Sequence, residues 1–102
     1  MNEQLLLQQQ EQTKEKMSKL LIKIRQGNGI KNPFIVSNEL GQSTATLRNI
    51  EKSIAFPTQK TLNELISTYS MTLGERMEVQ QLKTDMLSIR RQLKEIRKAR
   101  AN

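Results

Sequence analysis

A chain of 102 residues with 35% hydrophobic and 3% aromatic content has room for one small core carrying solvated extensions. It contains neither cysteine nor histidine, which excludes disulfides, thiolate metal sites and the commonest general base and metal ligand. The net charge is +7, and residues 83–102 carry seven cations against two anions, so the basic excess collects at the C-terminal end, as a phosphate-attracting patch or a solvated helix face.

Glycine and proline are scarce, helix-favouring Leu, Lys, Glu, Gln and Arg dominate, and no stretch alternates with period two. The chain therefore reads as all-α. Residues 1–16 form a polar extension rich in glutamine (Gln4, Gln8, Gln9, Gln10, Gln12), which either lengthens the next helix or stays separate. Met17, Leu20, Leu21 and Ile24 follow the i, i+3, i+4, i+7 spacing of a helix with one buried face. Gly27, Asn28 and Gly29 end it. Pro33 starts a second helix running to about Leu40, and Gly41 breaks it. Ser43 is the expected N-cap of a third helix over 43–53, with Leu47, Ile50 and Ile54 facing inward. Pro57 and Thr58 open a fourth, with Leu62, Leu65, Ile66 and Tyr69 on its apolar face, and Met71 and Leu73 close the globule. From Thr72 to about Arg100 only Gly74 interrupts helix-forming residues. The expected organisation is an extension over 1–16, a globular helical domain over 17–74 and a basic helix over 75–102.

Two short helices joined by a tight glycine turn over 33–53 are what major-groove reading requires, one bracing across the backbone while the next enters the groove. At these residues the sequence resembles the Cro/phage-repressor (Xre-like) helix-turn-helix family. The resemblance runs from Leu21 to Leu73 through Ile24-Arg25, Val36-Ser37, Leu40-Gly41, Ser43, Leu47, Ile50-Glu51, Pro57, Leu62 and Leu65-Ile66. It implies a compact four-to-five-helix, lambda-repressor-like domain. It also implies that Glu51 pairs with Arg25, and that Thr44, Ala45, Arg48 and Asn49 read bases or adjacent backbone. Their chemistry agrees, since Arg bonds guanine O6 and N7 together, Asn bonds adenine N6 and N7 together, and methyl groups meet thymine. Asn32, Ser43, Lys52 and Lys60 suit phosphate, which positions without reading sequence. The chain departs from the family pattern at Ser53, where glycine is usual, at Gln42, where an apolar residue is usual, and in a first interhelix loop about one residue longer.

Val79, Leu82, Met86, Ile89, Leu93 and Ile96 recur at alternating spacings of three and four, an a/d heptad seam. Glu78, Asp85 and Gln92 flank it at g, and Lys83, Arg90 and Arg97 at e, so a parallel homodimer would set Glu78 against Lys83 and Asp85 against Arg90. The competing expectation is a helix packed along its own domain or against Leu5, Leu6 and Leu7. The outer Arg91, Lys94 and Lys98 would touch phosphate or stay solvated.

The expected function is a sequence-specific, repressor-like regulator that binds double-stranded DNA as a homodimer, its two 43–53 helices about 34 Å apart in successive major grooves. One alternative is an accessory protein of plasmid or phage replication, partition or conjugation, holding a protein partner through the C-terminal helix. Another is an antitoxin-like or antirepressor interaction module. No acid/base pair, metal cluster or phosphate-cradling loop is legible, so no enzyme activity, cofactor or metal is expected. No apolar run approaches the ~18–20 residues that span a bilayer, and Leu5–Leu7 is too short for a signal-peptide core. No membrane contact is expected, and the expected location is the cytoplasm, in a bacterial, phage-encoded or plasmid-encoded setting.

Overall fold

Five α-helices and one 3-10 turn, without a strand, make up the regular structure of the computed structural model over its described residues, 2–101. Residues 1 and 102, the outer ends of the first and last expected segments, lie outside them. The helices are α1 (Glu3–Gly27), α2 (Ser37–Leu40), α3 (Thr44–Glu51), α4 (Gln59–Thr68) and α5 (Leu73–Ala101), with the 3-10 turn at Pro33–Val36. No helix among the described residues is long and apolar enough to cross a membrane.

Side chains close the helix starts. Asn2 accepts from the Leu5 N–H at 2.7 Å, Ser43 from Thr46 at 3.1 Å and Thr58 from Thr61 at 3.2 Å. Thr72 and Glu75 form a reciprocal capping box at the start of α5. The ends of α1 to α4 share another device. A residue with positive φ (Gly29, Gly41, Ser53 or Ser70) turns the chain left-handed, and the next N–H reaches back five residues, as Ile54 does to the Asn49 carbonyl at 2.9 Å. Two of the four positions are serine, which enters that region at a cost glycine does not bear.

Several expected boundaries change for these reasons. The segment from Pro33 to Leu40 is a 3-10 turn followed by a single α turn rather than one helix, since the β-branched Ile35-Val36 pair favours helix weakly and a tight proline-started turn needs only i→i+3 bonds. The third helix is Thr44–Glu51, shorter than 43–53, because Ser43 caps it and Ser53 reverses the chain. That reversal also turns Ile54 outward, 61% exposed, instead of into the core. Met71 closes the globule, whereas Leu73, one residue past the Thr72 cap, is exposed on the first turn of α5.

The main core gathers Met17, Leu21 and Ile24 of α1, Leu40, Leu47, Ile50 and Phe56, Leu62, Leu65 and Tyr69, and Val79 and Met86 of α5. A second cluster joins Leu6 to Ile89 and Leu93. Low residue numbers on α1 meet high ones on α5, so the two long helices run antiparallel. The extension at 2–16 is the first half of α1, and Leu6 is fully buried there.

This packing corrects the expected dimer seam. Val79, Met86, Ile89 and Leu93 are buried and Leu82 and Ile96 half-buried within one chain. α1 covers the face that a second α5 would have needed. Each large apolar side chain buried this way contributes about 1.5–3 kcal/mol, and the cover is tethered within the same chain, so no association entropy opposes it. Two of the flanking e-position cations are also engaged within the chain. The Lys83 ammonium donates to the Pro57 carbonyl at 3.0 Å, and Arg97 lies 3.7 Å from Glu3.

Candidate nucleic-acid interface

α3 presents its outward face because its inner face is fixed from two sides. Leu47 and Ile50, three residues apart, enter the core. At its last turn Arg25 of α1 grips Glu51, with Nε donating to Oε2 at 2.8 Å and Nη2 to Oε1 at 3.0 Å. The third arm of the guanidinium, Nη1, donates to the Ile30 carbonyl at 2.8 Å. Ser18 of α1 donates to the Glu51 carbonyl at 2.5 Å. Arg25 is 6% exposed, so its planar fork ties α1, the following loop and α3 together at one buried point. The pair that the resemblance implied is formed.

Tyr69 packs beside this point, its phenol pushed up to about 12 by burial first and then by the Glu51 carboxylate, against a smaller opposing effect of Arg25. Glu51 is committed to Arg25, so the remaining charges along α3 are the exposed Arg48 and Lys52.

Thr44, Ala45 and Arg48 are exposed on α3 and Asn49 is half-buried. The i, i+1, i+4, i+5 spacing keeps them on adjoining strips of one helix surface. The Arg48 guanidinium lies 5.5 Å from the centre of the Phe34 ring, a cation–π distance. Phe34 belongs to the 3-10 turn that precedes α2, and it went unnoticed in the sequence reading. Its signal there was weak: one aromatic residue directly after Pro33.

Among the expected phosphate contacts, Asn32 and Ser43 both work as caps. Asn32 Oδ1 accepts from the Phe34 N–H at 2.9 Å, which leaves its amide N–H groups facing outward as donors. The Ser43 hydroxyl accepts from Thr46 and also meets the Thr46 hydroxyl at 2.9 Å. Lys52 and Lys60 are exposed at the two ends of the α3–α4 connection. Gln42 is half-buried after the glycine turn and donates to Glu64 of α4 at 2.8 Å, a polar substitute for the apolar residue usual there.

Compared with protein-family models, with curated proteins and with solved structures, the chain has no match in any of the three.

Proposed function

We propose that this protein is a sequence-specific double-stranded DNA-binding regulator of repressor type, in which α2, the Gly41 turn and α3 act as a lambda-repressor-like helix-turn-helix. The observation that carries this reading is the outward strip of α3. Thr44, Ala45, Arg48 and Asn49 lie opposite Leu47 and Ile50 on a helix anchored by the Arg25–Glu51 pair. A rigidly seated helix bearing a guanidinium, a carboxamide and two methyl groups has the donors, acceptors and apolar contacts that match base edges in the major groove. Asn32, Ser43, Lys52 and Lys60 supply groups suited to phosphate. Phe34 under Arg48 reduces the number of orientations the arginine samples, so less entropy is lost when it docks on a guanine.

The heptad face of α5 is used within the chain, so the reading does not depend on a coiled-coil dimer. The test selects bound sequences from a random duplex pool, then compares wild type with Arg48→Ala and Asn49→Ala on the selected site and on a scrambled one. Each variant is expected to lose about 1–3 kcal/mol of discrimination at one base position. A pool without enrichment, or equal loss on both duplexes, would refute base reading by α3.

A further inference from the structure

The antiparallel α1–α5 pair has two unlike flanks. One joins Gln9, Gln12 and Lys16 of α1 to Asp85, Ser88 and Gln92 of α5, and is polar and mixed in sign. On the other, Arg90, Lys94 and Arg97 of α5 line a shallow groove with Leu7, Gln10 and Leu93. Lys83, Arg90 and Arg97 recur every seven residues and so lie along one side of the helix. This row begins at the α3–α4 connection. The Phe56 ring centre is 5.5 Å from the Lys83 ammonium and 5.9 Å from the Arg90 guanidinium.

The anions on this flank are already spent. Glu3 pairs with Arg97 at 3.7 Å and Arg100 at 2.6 Å, and Glu11 pairs with Lys14 at 3.2 Å. Among the described residues, Arg90 and Lys94 have no ion-pair partner.

We propose that this flank is a second DNA-contacting surface, in which Arg90 and Lys94 bind backbone phosphates outside the base pairs read by α3. The proposal rests on the DNA-binding reading above; Lys83 and Arg90 tie the row to Phe56 and Pro57 in the α3–α4 connection. From residue 90 to residue 97 a helix rises about 10.5 Å, close to the axial length of three base pairs at about 3.4 Å each. An open groove with two long cations free of ion pairs and only Leu7 and Leu93 as apolar lining offers phosphates what they need. It lacks the deep apolar pocket that anchors a protein partner. Heptad spacing would set Arg90 against Asp85 of another chain, but the fold leaves it exposed beside the Phe56 ring instead.

The experiment measures fluorescence anisotropy of the full chain on its selected duplex and on a scrambled one, each extended by about ten base pairs on either side, across a salt series. At physiological salt the screening length is about 8 Å, so only cations close to phosphate register. Arg90→Gln/Lys94→Gln is expected to lower the slope of log K against log salt by about two, and to weaken binding roughly ten- to thirtyfold near 0.15 M, equally on both duplexes. The preference for the selected site stays unchanged. Arg91→Gln/Lys98→Gln removes the same charge from the outer face of α5 and is expected to leave the slope nearly as it was; circular dichroism of both variants reports the fold. An unchanged slope in the first variant, or equal falls in both, overturns the flank proposal and leaves the α3 reading standing. Loss of binding to poly-glutamate with an unchanged duplex slope assigns the flank to an acidic protein and also overturns it. Failure of the wild type to bind any duplex overturns both readings.

Discussion

Replacing Glu51 by alanine removes the carboxylate that receives two of the three hydrogen bonds of the Arg25 guanidinium. What remains is a buried cation with one neutral acceptor, the Ile30 carbonyl. Breaking a buried ion pair from one side costs about 3–5 kcal/mol, because the surviving charge is left without compensation. Two smaller effects oppose this. Glu51 sits in the last turn of α3, where the helix dipole disfavours a carboxylate by about 0.3–1 kcal/mol. Alanine also gains a few tenths of a kcal/mol, roughly, in helix propensity.

The net expectation is a loss of about 3 kcal/mol, which for a domain of this size lowers the melting temperature by roughly 12–24 °C. Thermal and urea unfolding followed by far-ultraviolet circular dichroism measure both. In Arg25→Met/Glu51→Leu the charges disappear together, and such replacements are often neutral or stabilising. The freed Ile30 carbonyl costs about 1–3 kcal/mol unless water reaches it, so the double variant is expected to be more stable than Glu51→Ala. A cost below about 1 kcal/mol for Glu51→Ala would mean the pair behaves like a surface salt bridge. That result, or a double variant no better than the single one, would refute the argument that this pair seats α3.

Ser53 holds a φ of 62°, and Ser53→Gly is expected to raise stability by about 0.5–1 kcal/mol, read as a higher urea midpoint with an unchanged slope. Tyr69 titrates at about 12 when folded, against 10.0 as the ordinary value. Its contribution is therefore complete below about pH 10, where the unfolded chain also keeps its proton, and falls away as pH rises through about 12. Unfolding measured near pH 9 and again near pH 12 should show the wild type losing about 2 kcal/mol more than Tyr69→Phe. Met86 is fully buried between α1 and α5 of one chain. Met86→Ala is expected to cost about 2–5 kcal/mol, with a melting temperature independent of protein concentration in both variant and wild type, whereas a seam between chains would make it concentration-dependent.

Local chemistry made much of the chain legible. A capping side chain acts within three residues and an apolar stripe within two turns, so Ser43, Thr58, Gly41 and the Leu47–Ile50 pair announced their helices and the exposed strip of α3 without reference to the rest of the molecule. The choice of Thr44, Ala45, Arg48 and Asn49 within that strip came from the family resemblance. Ser53 shows the limit of such reading. A serine does not advertise left-handed backbone, so Ile54 was assigned inward although the chain had already turned.

Partnership over long separations was left to the tertiary structure. The heptad from Val79 to Ile96 states that one face of α5 must be covered, but apolar contact carries no direction, and a second α5 or the first half of α1 would satisfy it equally. Leu6, Met17 and Leu21 settle it by bringing α1 alongside, and they free Arg90 from the role its heptad position had suggested. The same holds for Phe34 beneath Arg48 and for Lys83 at the Pro57 carbonyl. Each contact joins segments 14 or more residues apart, and only the closed fold, where burial selects which long side chains meet, brings them within bonding distance.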